Sequence, residues 1–455
     1  MSFGYYLGGW LVDRRPDFVT LSHLLAASAF FTLIVPLLQS AIDESFRKTD
    51  VVWGPIFASL LLFALPGCLL GSISPFAIRL ISLLYADKRI GVSAGSIGMF
   101  STLGSVVGTF SAGFLLIPQW DIKTIFLVTA IVLAFLATIG YIFFQSVSRK
   151  RALILNACIL ILLTVGLSIS RSEMPSYLLF DQTTFYHRIR VFQKVHSNGN
   201  REKTLYLDTT VEGSQFEKSR EIPIPYQRYW ELVKVFCPEI KTAAFLGAGA
   251  YTMPESLLDA YPYAKVDVIE IDPKVVEVGY SFFRLKDYPQ IVAVVDDARR
   301  YLNSSEKRYD FIFGDAYNGV YYIPSHLVTL EFFKLIKNRL SEKGVFMMNM
   351  ISAIRGDKSK LFLSVVKTLG MVFNNIYVFA LDPNQPTEAQ NVIIAASTQK
   401  LRMKLDAEMG GTEKHRLEML LSTYVPTRNY DISGAPLLTD SYNPVEYIVA
   451  KGLIR

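Results

Sequence analysis

Cysteine is scarce: the chain has three in 455 residues, Cys68, Cys158 and Cys237, far apart from one another. That spacing excludes a disulfide framework and a cysteine-rich zinc site. The five histidines, His23, His187, His196, His326 and His415, are equally scattered, so no metal is expected. A Gly-x-Ser-x-Gly elbow and a Ser-His-Asp order are both missing, which argues against a hydrolase of that type. There is no dense Lys/Arg run and the net charge is only +6, so a nucleic-acid partner is not indicated. The amino terminus lacks the charge-first, short apolar core and small-residue pattern of a cleaved signal peptide. Charge itself is thin up to about residue 170 and evenly spread afterwards.

What fills the charge-poor half is apolar. Blocks run approximately from Leu21 to Ile42, Val51 to Ile78, Ile90 to Pro118, Ile122 to Phe144 and Ala152 to Ser170. Each approaches or exceeds the roughly 18 residues that suggest a membrane span. Five spanning helices are therefore expected. Ser2 to Val12 is apolar but short, and reads as the tail of a helix whose beginning is absent from this chain. Gly91, Gly95, Gly98, Gly104, Gly108 and Gly113 include two GxxxG pairs, which predict close helix packing. Pro55, Pro66 and Pro75 are candidate kinks in the second block. No acid or base sits mid-span, which disfavours ion-coupled transport.

The basic clusters Arg14-Arg15, Arg79 with Lys88 and Arg89, and Arg149-Lys150-Arg151 belong on the cytoplasmic side. If Ala152 to Ser170 spans, that rule puts the second half outside; the supply of nucleotide-type ligands favours the cytoplasm. The reading adopted is a multi-pass protein of a bacterial inner membrane with a cytoplasmic second half and the lipid bilayer as partner. The expected divisions are a transmembrane region over residues 1–170, a linker and small β-element over 171–225, and an α/β domain over 226–455.

In the second half, Phe185 to Val195 and Thr204 to Asp208 read as strands around a turn at Ser197 to Asn200, and Tyr226 to Phe236 as a helix. Strand and helix patterns then alternate. Thr242 to Leu246, Val266 to Ile271, Gln290 to Val295, Tyr309 to Gly314 and Val345 to Met350 are strands; Pro273 to Phe283 and Leu330 to Leu340 are helices. This predicts a doubly wound, Rossmann-like parallel sheet covered by helices. Between the first two strands lies a small-residue loop, Gly247-Ala248-Gly249-Ala250, and the second strand ends on Glu270. That layout suits a nucleotide-type ligand, with Glu270 accepting hydrogen bonds from ribose hydroxyls. Asp297, followed by Ala298, ends the third strand and could take an adenine amino group; Asp315 ends the fourth beside the reaction centre. Each acid alone could be a helix cap or turn former; three at successive strand ends point to a site. His187 and His326 fall in segments beside the expected cleft.

From about Thr183 onward these residues resemble the spermidine synthase (polyamine aminopropyltransferase) family. The matches are Tyr186-His187-Arg188-Ile189-Arg190-Val191, Leu205-Tyr206-Leu207-Asp208, Gly247 to Glu255, Val268-Ile269-Glu270-Ile271-Asp272, Asp297-Ala298, Tyr309 to Asp315, Glu331-Phe332-Phe333 and Leu438-Thr439-Asp440. With its apolar blocks the chain is similar to the bacterial type that fuses a truncated transporter-like bundle to such a domain. The resemblance implies transfer of an aminopropyl group from decarboxylated S-adenosylmethionine to a small amine acceptor, without a metal. It makes Asp315 the proton acceptor, Glu270 the ribose ligand and Asp297 the adenine contact. Gly247, Gly249, Ala298 and His187 complete the donor side; Tyr226, Gln227, Ala250 and Asn318 fall on the acceptor side.

Several of those positions depart from the family pattern. His187 stands for a glutamine and Gln227 for the histidine of a Tyr-His motif, while Tyr251 and Thr252 stand for glycines. Ala250 and Asn318 stand where the family has acids. Losing two carboxylates weakens the field that holds a dication, so putrescine is expected to be a poor acceptor. A methyltransferase using S-adenosylmethionine on the same sheet, or a non-catalytic membrane-complex subunit retaining the fold, are the alternatives, and a homo-oligomer stays open.

Overall fold

The computed structural model describes residues 1–46, 53–84, 90–143, 175–317, 319, 322–405, 410–426 and 430–453. The chain divides into two compact units, Met1–Met174 and Pro175–Arg455.

Among the described residues of the first unit, four helices are long and apolar enough to cross a membrane, by length and composition: the candidate spans are Phe18–Gln39, Trp53–Leu83, Gly91–Gln119 and Ile122–Phe143. The expected fifth span, Ala152 to Ser170, and Cys158 lie outside the described residues. Ser2–Arg14 is itself helical. Its glycines make close backbone contacts: a methyl at Gly4 would stand 2.1 Å from the Cys68 carbonyl oxygen, and one at Gly8 2.1 Å from that of Ser72. Only a hydrogen fits there, so this GxxxG pair lets the short helix lie against Trp53–Leu84. The sequence pattern had pointed instead to Gly91–Gly113. Added methyls at those glycines meet nothing within 4 Å among the described residues. Pro66 and Pro75 lie inside the helix Trp53–Leu84.

The second unit begins with a four-stranded antiparallel meander: β1 Leu178–Thr183, β2 Arg188–Val195, β3 Arg201–Leu207 and β4 Thr210–Phe216. Gly199, at φ +73°, makes the β2–β3 turn. Pro225–Leu232 is a 3₁₀-helix running into a short α-helix, Val233–Phe236, rather than one continuous α-helix.

The main sheet has eight strands. Five are parallel: β5 Thr242–Leu246, β6 Lys265–Glu270, β7 Ile291–Val295, β8 Tyr309–Gly314 and β9 Leu340–Ser352. The remaining three, β10 Asn375–Ala380, β11 Gln390–Ser397 and β12 Tyr424–Val425, are antiparallel, giving the order β12-β10-β11-β9-β8-β5-β6-β7. The expectation of a parallel sheet thus holds for one side only. The strands read as unbroken apolar runs because both faces are covered. Phe245, Phe311 and Phe313 fill one layer, whereas Ala244, Leu246, Ile312 and Phe346 fill the other.

Register decides where the site falls. Leu246 pairs with Ile269 on one side and with Gly314 on the other, and Glu270 pairs with Val295. The ladder closes with Gly247 N–H donating to Ile269 (2.9 Å), Asp315 N–H to Leu246 (2.8 Å) and Asp296 N–H to Glu270 (3.0 Å). The carboxyl ends of four strands are therefore flush, and the residues that follow them share one edge.

Candidate active site

A cavity of about 360 Å³ opens at that edge. Its floor is Gly247, Ala248, Gly249, Glu270, Asp297, Ala298 and Asp315, and its roof comes from the meander through Phe185, Tyr186, His187, Leu207 and Glu212. Thr184 ties the two together by donating its hydroxyl to Asp272 Oδ2 at 2.5 Å.

The glycine loop turns because of its backbone. Gly247 takes φ +103° and Gly249 φ +49°, values that side chains disfavour. A methyl at Gly247 would stand 2.5 Å from the Asp315 carbonyl oxygen. Tyr251, where the family has glycine, adopts φ +61° itself, and its ring packs so closely on Gly279 that a methyl there would be 2.4 Å away.

Glu270 is buried and accepts N–H bonds from Ala248 (3.1 Å, to Oε2) and Asp272 (2.9 Å, to Oε1). Burial pushes its pKa up and these two bonds work against the rise. Each carboxylate oxygen keeps further acceptor capacity for a ligand hydroxyl. Asp297 caps the helix Ala298–Ser304 through Arg300 N–H (2.8 Å), and its other oxygen meets His326 Nε2 at 2.8 Å. That histidine contact holds its carboxyl below the ordinary value. The capping reading and the cavity-lining position both hold for this one side chain.

Asp315 sits between two donors. Tyr226 gives its hydroxyl to Oδ2 at 3.0 Å and Asn349 its amide to Oδ1 at 2.9 Å; Asn391 in turn donates to Asn349 at 3.1 Å. Burial raises the Asp315 pKa to about 6 and the two hydrogen bonds restrain it. A carboxylate poised near neutrality and aimed by fixed partners is suited to take a proton from an attacking amine.

His187 lines the cavity and bonds Asp208 Oδ2 through Nδ1 at 2.9 Å. Tyr226 reaches the site through its hydroxyl. Gln227 is buried behind it, donating to the Glu212 carbonyl at 3.2 Å, and does not line the cavity. Ala250 does not line it either: it is buried under β4, where a methyl at Gly213 would come within 2.5 Å of its own. Asn318 lies outside the described residues.

Glu212 and Asn349 escaped the sequence reading. Glu212, on β4, points its carboxyl into the cavity and makes no hydrogen bond or ion pair among the described residues. Burial first, then the nearby charges of Asp315, Glu270 and Asp208, raise its pKa to about 8. The available signal was an acid on a short strand directly after Leu205-Tyr206-Leu207-Asp208, and it resembles any exposed strand charge until the meander is docked.

The fold and site define a class: a Rossmann-like domain of methyltransferase type, with an acid-lined pocket beyond the carboxyl ends of its strands. Residues 237–406 match the spermine/spermidine synthase domain. The polyamine aminopropyltransferase of Vibrio vulnificus is 29% identical over 244 residues, covering 51% of this chain and 78% of that protein. Polyamine aminopropyltransferase 2 of Aquifex aeolicus is 22% identical over 423 residues, or 89% of this chain and 80% of that protein, so this alignment reaches into the helical half. Among solved structures, a probable spermidine synthase from Corynebacterium glutamicum superposes with a TM-score of 0.48 at 20% identity, covering 56% of this chain and 94% of that one. Both of the named sequence relatives are polyamine aminopropyltransferases. Among the described residues no cluster of His, Cys, Asp and Glu is arranged to hold a metal.

Proposed function

We propose that the second half of the chain transfers an aminopropyl group from decarboxylated S-adenosylmethionine to a small amine, in a pocket whose acids are placed differently from the family's pattern. The observation that carries the choice of donor is the sign of the lining. Glu212, Glu270, Asp296, Asp297 and Asp315 face the cavity, and no lysine or arginine is among its lining residues. Such a wall attracts a sulfonium and an amine and repels the α-carboxylate that distinguishes S-adenosylmethionine from its decarboxylated form.

In this reading Glu270 accepts the ribose hydroxyls and Asp297 the adenine amino group, alongside their existing backbone partners. Asp315 holds the acceptor nitrogen in line with the carbon next to sulfur. As the new C–N bond forms, the C–S bond breaks, the sulfur keeps the electron pair and leaves in methylthioadenosine, and the amine proton passes to Asp315. Tyr226 and Asn349 keep that carboxylate aimed throughout.

Calorimetry on the detergent-solubilised full chain tests the donor. The decarboxylated donor is expected to bind at least about tenfold more tightly, some 1.4 kcal/mol. Tighter binding of S-adenosylmethionine would favour a methyltransferase, and binding of neither a non-catalytic subunit.

We further propose that the helical half anchors the chain in a bacterial inner membrane with the second half in the cytoplasm, where the donor is supplied. Four apolar helices support the first part. A reporter fused at the carboxyl terminus should be active only in its cytoplasmic form, and activity of a periplasmic reporter alone would overturn the orientation.

A further inference from the structure

Glu212 has a fixed backbone and an unused side chain. The strand that carries it is clasped to the glycine loop: Gln215 donates its amide to the Ala250 carbonyl at 2.8 Å, and Thr252 its hydroxyl to that of Ser214 at 3.1 Å. A methyl at Gly249 would lie 2.6 Å from the Glu212 carbonyl oxygen, which Gln227 also engages at 3.2 Å. The carboxyl group is thereby held in the cavity with Asp315, with no partner among the described residues.

A carboxylate enclosed beside others and lacking a cation is costly in the ionised form. It stays protonated until a cation arrives, in keeping with a pKa near 8. Tyr226 and Tyr317 both feel the charges of Asp315 and Glu212, so the two acids share one small space.

We propose, on the basis of the aminopropyl-transfer reading, that Glu212 binds the non-reacting ammonium of a diamine acceptor while Asp315 holds the nitrogen that attacks. Ala250 lies under Gly213, so an acid at position 250 is replaced in effect by one on the facing strand. The pocket keeps two carboxylates for a dication by another route, and the acceptor class is a diamine or longer polyamine rather than a monoamine. On this proposal putrescine, expected from the sequence to be a poor acceptor, is among the candidate acceptors.

Calorimetry with the full chain and methylthioadenosine, titrated with diamines from 1,3-diaminopropane to 1,5-diaminopentane and with n-butylamine, reads the inference directly. At least one diamine should bind about tenfold or more tightly than butylamine. Glu212→Gln should remove that advantage while leaving butylamine and methylthioadenosine affinities within about twofold, and Glu212→Asp should restore part of it. Equal losses for diamine and monoamine, no loss for either, or no preference in the unmodified protein would overturn it. Glu212-dependent diamine binding without any aminopropyl transfer would sink the transferase reading and leave this one standing. Transfer to a monoamine with no diamine preference would do the reverse.

Discussion

Asparagine at position 315 lowers aminopropyl turnover by about 10²- to 10⁴-fold, the usual contribution of a positioned proton acceptor, and leaves the fold in place. The amide can no longer take a proton, but its oxygen still accepts from Asn349, and the Tyr226 hydroxyl can turn to accept from the amide nitrogen. Thermal unfolding should move by no more than about 3 °C, the scale of roughly 1 kcal/mol in a domain this large. Donor binding should change far less than turnover. Undiminished turnover would assign the proton elsewhere. The pH profile supplies the sign. Asp315 works only when ionised, so kcat/KM should rise with pH through about 6. In Asn349→Leu a bond favouring the charged form is gone, and the limb should move to higher pH; a limb that moves down or stays would detach it from Asp315.

Gly247→Ala should cost both stability and donor binding. The φ of +103° is strained for any side chain, by about 1–3 kcal/mol. The methyl would also meet the backbone of Asp315, at 2.5 Å from its oxygen and 2.9 Å from its carbonyl carbon. Backbone cannot swing aside as a side-chain tip can, so the β8 end must shift and carry the Asp315 carboxylate with it. We expect a fall of at least about 2 kcal/mol in stability and loss of detectable donor binding. Gly434→Ala, which meets nothing within 4 Å and has no positive φ, is the control and should stay within about 0.5 kcal/mol. A neutral Gly247→Ala would mean the loop does not hold the β8 end as drawn.

The strands that carry Glu270, Asp297 and Asp315 were legible because buried parallel strands leave an apolar run with an abrupt end, and the side chain after that end has one place to go. Thr242–Leu246 and Tyr309–Gly314 coincide with the runs read from sequence. What escaped was set by contacts distant in the chain. The reversal of β11 follows from its antiparallel hairpin with β10, not from the composition of either strand. The fate of Ala250 depends on Gly213, on another sheet. Glu212 faces the cavity only because Gln215 and Thr252 fix the meander to the loop. The glycines at 91–113 carried the stronger packing pattern, yet Gly4 and Gly8 make the contact, since a GxxxG spacing says that a helix can be approached and not by which neighbour.

The cavity is built from two separable stretches of chain, a floor of strand ends and a roof hung from a meander of about forty residues. Their obligations differ. In the proposed function floor residues hold the adenosyl ligand, while Gly213, Ser214 and Gln215 form the clasp. Positions 185, 207 and 212 touch the ligand space without belonging to either. If the proposed transfer holds, descendants of such a chain can change which amine they accept by mutation at those three places, while the floor that faces the donor is inherited whole.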